Sequence, residues 1–68
     1  MTLSDSPRDS GKIARIGGDA DTHRRLADMG LLGASYTVTV RKKHAVLVDY
    51  GEFSAVTDNE TASVIFVE

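Results

Sequence analysis

The stretch RRLADMGL, residues 24–31, decides the fold of this chain. It predicts one short helix, because Leu26 and Met29 stand three residues apart and therefore share a helix face. Gly30 occupies the position at which helices commonly end in a left-handed conformation. A single short helix set among strands narrows the fold to a few small mainly β architectures.

The start of this helix offers two N-cap residues. Asp21 or Thr22 can accept a hydrogen bond from an unpaired backbone N–H of the first turn. Asp21 also precedes Arg25 by four residues, the favourable order for an intrahelical ion pair. Asp28 is expected to pair with Arg24 or Arg25.

The rest of the chain is predicted to form five strands. The first follows Gly11 and carries a bend or bulge, because Ile13 and Ile16 do not alternate cleanly. In the second, Tyr36, Val38 and Val40 alternate with polar residues, so all three are expected on one buried face. The predicted strands are 12–16, 36–41, 46–50, 53–57 and 64–67, with a basic turn at 42–44, a tight hairpin at 51–52 and one helical turn at 58–60.

These elements predict a mainly β fold, a small SH3-like barrel of five strands with one short α-helix between strands 1 and 2. Closing the sheet would remove most of its open edges. A partly open OB-type barrel is the competing topology. Residues 1–68 are expected to form one domain, and residues 1–10 an arm that Leu3 anchors to the core.

Composition limits the function classes. The chain has 68 residues, no cysteine and two histidines, His23 and His44. A disulfide is excluded, and a classical zinc site is disfavoured. No apolar run reaches the ~20 residues needed to span a bilayer, and no signal-peptide pattern opens the chain. These features predict a natural stand-alone cytoplasmic protein without membrane insertion.

The charges are unevenly distributed along the chain. All eight Lys and Arg residues lie within residues 1–44, whereas residues 45–68 hold five acids and no Lys or Arg. This asymmetry is expected either to orient the molecule against a charged partner or simply to keep a small domain soluble. The basic turn Arg41, Lys42, Lys43 and His44 makes nucleic-acid binding an alternative function. The four aromatic residues are, however, expected in the core rather than exposed for base stacking.

Motifs of catalysis are absent from the sequence. Gly17-Gly18 lacks the spacing and the lysine of a phosphate-binding loop, so no nucleotide cofactor is predicted. No serine lies in a nucleophile elbow. The sequence therefore predicts a non-enzymatic protein that binds a partner, with no cofactor.

The chain carries TLS at residues 2–4, GKIARI at 11–16, RLADMGL at 25–31 and the closing VIFV at 64–67, in that order. In this series the chain resembles FeoA, the small accessory protein of bacterial and archaeal ferrous iron transport. It departs from the family pattern at Leu32-Gly33-Ala34, where a Pro-Gly turn is usual, and in its shorter turn at 42–45.

The resemblance implies an SH3-like barrel without enzyme activity and a role in iron uptake through FeoB, a membrane transporter with a cytoplasmic GTPase domain. The same barrel is found in metal-dependent repressors resembling the diphtheria-toxin repressor, which gives a second alternative. A partner-binding groove is expected between helix and barrel, although core packing is the favoured role of Met29. The candidate partner-binding residues are Arg24, Arg25, Met29, Leu32, Arg41, Lys42 and Lys43.

Overall fold

The structure, a computed structural model, describes residues 1–68. Its elements follow the predicted order, with bounds shifted by one or two residues. They are β1 (Ser10–Ile16), α1 (Ala20–Asp28), β2 (Ser35–Arg41), β3 (Ala45–Asp49), β4 (Ser54–Asp58), α2 (Asn59–Ala62) and β5 (Ile65–Val67). No helix combines the length and the apolar character needed to cross a bilayer.

The five strands form one antiparallel sheet in the order β4-β3-β2-β1-β5. Strand β1 is shared, because residues 10–12 pair with β2 and residues 13–16 pair with β5. The predicted irregularity of β1 lies between Ile13 and Arg15, where the register shifts. The SH3-like prediction, with its helix between the first two strands, is confirmed. The outer strands β4 and β5 are joined through α2 rather than by a ladder of hydrogen bonds.

The core consists of buried apolar side chains from every element except β4, whose Ala55 packs against the core and is only partly buried. Leu26 is 4% exposed and fastens α1 to the sheet as predicted, a burial that contributes about 1.5–3 kcal/mol. Met29, in contrast, is 44% exposed, and Leu31 at 1% provides the second anchor. Met29 is the C-cap residue, so its side chain falls beyond the face that Leu26 presents. The prediction that Met29 packs in the core is therefore wrong.

Both ends of α1 are closed by local hydrogen bonds. Asp19, rather than Asp21 or Thr22, is the N-cap, and its carboxylate accepts a 2.8 Å hydrogen bond from the Thr22 N–H. At the other end Gly30 has a φ of 83°, as predicted. The N–H groups of Gly30 and Leu31 donate to the carbonyls of residues 27 and 26, which is a Schellman motif.

The ion pairs expected along α1 do not form. The single salt bridge of the structure joins Arg41 to Asp9, 3.2 Å apart. Because Asp19 caps the helix two residues earlier than predicted, Asp21 lies in its exposed first turn. Surface pairs of this kind contribute too little energy to fix two long side chains in one geometry.

The N-terminal arm is held along the outer edge of β5. Leu3 is completely buried, which agrees with its predicted role as an anchor. Its N–H donates to the Ile65 carbonyl at 2.7 Å, and the Val67 N–H donates to the Met1 carbonyl at 2.8 Å. A bridge between Thr2 and Phe66 completes the contact. The arm therefore covers one edge of the sheet.

Strand β2 differs from its predicted alternation. Tyr36 and Val38 are buried as expected, but Val40 is 41% exposed. The register against β3 shifts between Val38 and Val40, which is a β-bulge. An extra residue at a bulge turns the following side chain to the opposite face of the sheet. Val40 consequently lies on the outer face, opposite Leu47.

Candidate functional site

The residues proposed from sequence lie on three separate parts of the surface. Arg25 borders a groove between α1 and α2, Met29 lines a second groove near the β3–β4 hairpin, and Lys42 lines a third on the outer face of the sheet. Arg24 is exposed on α1, and Leu32, at 55% exposure, lines none of these grooves. The structure does not bring the seven residues together.

The groove beside Arg25 is polar and lies between two helix starts. Asp19 and Asp58 are the N-caps of α1 and α2. The backbone N–H of Thr22, followed by its side chain, lowers the pKa of Asp19, and Arg25 lowers it further. The pKa of Asp58 is lowered first by the Thr61 side chain and then by its N–H. Both carboxylates are therefore satisfied by capping, which explains their positions without a ligand.

The groove beside Met29 is lined partly by aromatic groups. The rings of Tyr50 and Phe53 lie 5.3 Å apart between centroids, in a tilted arrangement. The Tyr50 hydroxyl forms a buried 2.6 Å hydrogen bond with Thr57, and burial raises the pKa of this phenol. Phe53 is 36% exposed and Phe66 is half-buried, so the expectation that all four aromatic residues lie in the core is wrong for these two rings. Phe53 lies in the hairpin turn between β3 and β4, which accounts for its partial exposure.

The basic turn is divided between two roles. Arg41 holds the N-terminal arm: its Nε donates to Asp9 at 3.2 Å, and one terminal nitrogen donates to the carbonyls of Ser6 and Arg8 at 3.3 and 3.0 Å. The side chains of Lys42 and Lys43 form no ion pair. The free positive charge of this turn is thus smaller than the sequence indicates, because one of its three strong cations has a structural partner.

The outer face of β2, β3 and β4 carries an apolar surface that the sequence analysis did not single out. Val40, Leu47 and Val56 are direct cross-strand neighbours. With residues 42, 45 and 46 they line a groove of about 310 Å³. Strand alternation placed Leu47 on this face, and the same rule applied to β4 would have placed Val56 there. Val40 could not be found in this way, because the bulge alone brings it to this side.

No group of three or more His, Asp or Glu side chains is placed to hold a metal ion. His23 lies in α1 and His44 in the turn before β3, so the two imidazoles belong to different elements. What the site residues offer is contact surface, apolar in two grooves and polar in the third.

No family model matches the sequence, and no curated protein matches it either. Solved structures do. The crystal structure of the iron uptake regulatory protein FeoA superimposes with a TM-score of 0.84 at 24% identity, over 100% of this chain and 95% of that one.

This chain has the FeoA fold.

A second match is a manganese-dependent transcriptional repressor, also with a TM-score of 0.84 and 24% identity. The alignment covers 98% of this chain but only 40% of the repressor chain. The FeoA fold therefore corresponds to one part of that larger protein.

Proposed function

We propose that this chain is a FeoA-type accessory protein of ferrous iron transport, a non-enzymatic module that binds a FeoB-type transporter in the cytoplasm. The supporting observation is the extent of the FeoA match, which takes in all of this chain and 95% of the other. A module of the same size and fold, without a cluster of metal-ligating side chains, is suited to protein contacts. Residues 1–68 act as one unit in this proposal.

In this proposal, the chain binds the cytoplasmic GTPase domain of the transporter. This chain has no phosphate-binding glycine loop, so the nucleotide would lie entirely on the partner. The accessory protein would act through its surface on a domain that hydrolyses GTP. The proposal includes no membrane insertion by this chain.

A calorimetric titration tests the proposal directly. The cytoplasmic domain of a FeoB-type transporter from the same genome is titrated with this protein, with and without a GTP analogue. Saturable heat is expected in at least one nucleotide state. Absence of heat and of co-purification in both states would contradict the proposal.

The candidate residues on α1 are tested in the same titration. Arg24→Glu reverses a charge on the exposed side of the helix, and Lys12→Glu makes the same change on β1 as a matched control. If α1 faces the partner, only the Arg24 variant weakens binding, about twofold to fivefold for an exposed charge pair. Equal affinities for both variants would remove Arg24 from the interface.

A second candidate function follows from the repressor match. In that reading this fold would serve as a protein-contact domain related to those of metal-dependent repressors. The repressor is 2.5 times longer than the aligned part, as the 40% coverage implies, so this chain would need a DNA-binding partner. Co-purification with a DNA-binding protein rather than a transporter would favour this reading.

Nucleic-acid binding by the basic turn has less support. Arg41 is occupied by the arm, and no aromatic side chain lines the groove beside Lys42. Binding to single strands usually needs such a stacking platform in addition to positive charge.

A further inference from the structure

The outer face of β2–β4 presents three branched aliphatic side chains in one cross-strand row. Val40 pairs with Leu47, and Leu47 pairs with Val56. Val40 is 41% exposed and Val56 is 73% exposed, while Leu47 between them is half-buried. We call these three residues the outer row.

Two features make the outer row unusual for a sheet surface. Val40 reaches it only through the β-bulge in β2, so a specific backbone irregularity supplies one of its members. Val56 stands at the centre of β4, whose outer edge has no paired strand. Edge strands of isolated domains are commonly protected by charged side chains, which Val56 does not provide. An unprotected edge strand is a surface on which another chain can pack or pair.

The groove over the outer row carries one positive charge. Its lining consists of Val40, Lys42, Ala45, Val46, Leu47 and Val56. Lys42 is therefore the single charged residue of the lining, and no carboxylate lines the groove. Because the Lys42 side chain forms no ion pair within the chain, its ammonium group is available to a ligand.

We propose that the outer row and Lys42 bind a peptide segment of a partner protein in which neighbouring apolar side chains are followed by a carboxylate. The apolar side chains would cover Val56 and Leu47, removing their surface from water. The carboxylate would approach Lys42, with Lys43 of the same turn adding to the positive potential. A basic segment would meet repulsion from both lysines.

A second copy of this chain fits the outer row less well. Antiparallel pairing of two β4 strands about Val56 would carry Glu52 of one copy towards Asp58 and Glu60 of the other. These groups have the same charge, and like charges at an interface are unfavourable.

The inference concerns the chemistry of this surface and holds whether or not the partner is a FeoB-type transporter. The peptide experiment below and the titration with the transporter domain can therefore fail independently of each other.

The test uses three synthetic peptides and amide chemical shifts of the ¹⁵N-labelled protein. The first is acetyl-Ser-Val-Leu-Glu-Glu-Ser-amide. In the second, lysines replace the two glutamates, and in the third, serines replace the valine and leucine. Saturable shifts at residues 40, 42, 47 and 56 are expected with the first peptide at millimolar concentration. Markedly weaker shifts are expected with the other two.

Substitutions separate the apolar and the ionic contributions. Val56→Ser should weaken binding of the first peptide about tenfold, since it removes the aliphatic surface that the peptide would cover. Lys42→Glu should weaken it about twofold to fivefold and improve binding of the lysine peptide. Lys12→Glu is the matched control on another surface and should leave both affinities unchanged.

Four outcomes would overturn the inference. One is absence of shifts at the outer row with every peptide. Another is equal binding of all three peptides. A third is concentration-dependent shifts at Val56 without peptide, which would assign this face to a second copy. The last is stronger binding of a single-stranded oligonucleotide, with shifts at Lys42 but none at Val56, which would assign the turn to nucleic acid.

Discussion

The two edges of the sheet differ in whether another segment of the chain covers them. At β5, residues 1–3 lie along the edge and bond to it, and the Arg15 guanidinium covers the Phe66 ring at 4.1 Å from its centroid. At β4, no strand follows and Val56 is 73% exposed. The outer side of β5 is therefore hydrogen-bonded to the arm, whereas the outer side of β4 has no neighbouring strand. This difference is the reason why the proposed peptide site lies on the β4 side.

The largest expected effect comes from the anchor of the covered edge. Leu3→Ala should lower the free energy of unfolding by about 2–5 kcal/mol, because Leu3 is fully buried and a cavity would remain. Val56→Ala on the bare edge should change it by less than about 0.5 kcal/mol. Urea denaturation followed by circular dichroism measures both values.

If Leu3→Ala does not fold, the graded variant Leu3→Met keeps the test decisive. A volume-conserving change should cost less than about 1.5 kcal/mol and leave a folded protein. Comparable losses for Leu3→Ala and Val56→Ala would abolish the contrast between the edges.

The next effect concerns the side chain that fastens the arm. Arg41→Ala removes the contacts to Asp9, Ser6 and Arg8, and should cost about 1 kcal/mol, a modest value because the side chain is partly solvated. Lys43→Ala in the same turn is the matched control and should be neutral. Amide hydrogen exchange at Leu3 should accelerate in the Arg41 variant only; unchanged exchange there would show that the arm does not depend on this residue.

Removing the hydroxyl groups of two core tyrosines tests an effect on stability of similar size to that of Arg41→Ala. Tyr50→Phe leaves the Thr57 hydroxyl without its buried partner and should cost about 1 kcal/mol. The Tyr36 hydroxyl is buried without a hydrogen-bond partner, so Tyr36→Phe should be neutral or slightly stabilising. Thermal unfolding of both variants measures the difference. A loss at Tyr36 equal to that at Tyr50 would contradict the assignment.

The smallest expected effect is a pH dependence of the free energy of unfolding, which arises at the N-caps of α1 and α2. Helix α2 links β4 to β5, the two outer strands. Hydrogen bonds lower the pKa of Asp19 and Asp58 in the folded protein. Their stabilising contribution is therefore complete above the unfolded pKa and is lost as the pH falls below about 4 through the lowered pKa. Asp19→Asn and Asp58→Asn keep a capping side chain without a titrating group, so acid unfolding should become less steep. An unchanged acid limb in the double variant would show that the caps are not its source.

Local features of the fold could be predicted from sequence, because each depends on neighbouring residues. Gly30 predicted the end of α1, and the alternation of Val46, Val48 and Tyr50 predicted the buried side of β3. The start of α1 was misplaced because Asp19 and Asp21 are equally able to cap, and the choice between them depends on the chain entering from β1.

Features that depend on distant partners could not be predicted. Arg41 contacts residues 32 to 35 positions earlier in the chain, and nothing near it in sequence indicates this. The exposure of Val40 follows from a register shift against β3, which alternation within β2 cannot reveal. Of the candidate site, Lys42 was predicted on charge, whereas the outer row beside it arises only once three strands are paired.

The contact between the arm and β5 has a consequence for biosynthesis. Residues 1–3 are synthesised before residues 65–67, which hold their hydrogen-bond partners and form the last strand of the sheet in chain order. Residues 13–16 of β1 also pair with β5, so this part of β1 cannot complete its hydrogen bonds before β5 has been synthesised. Folding of this module is therefore completed only after residue 67 has left the exit tunnel, because until then Leu3 lacks its partner on β5.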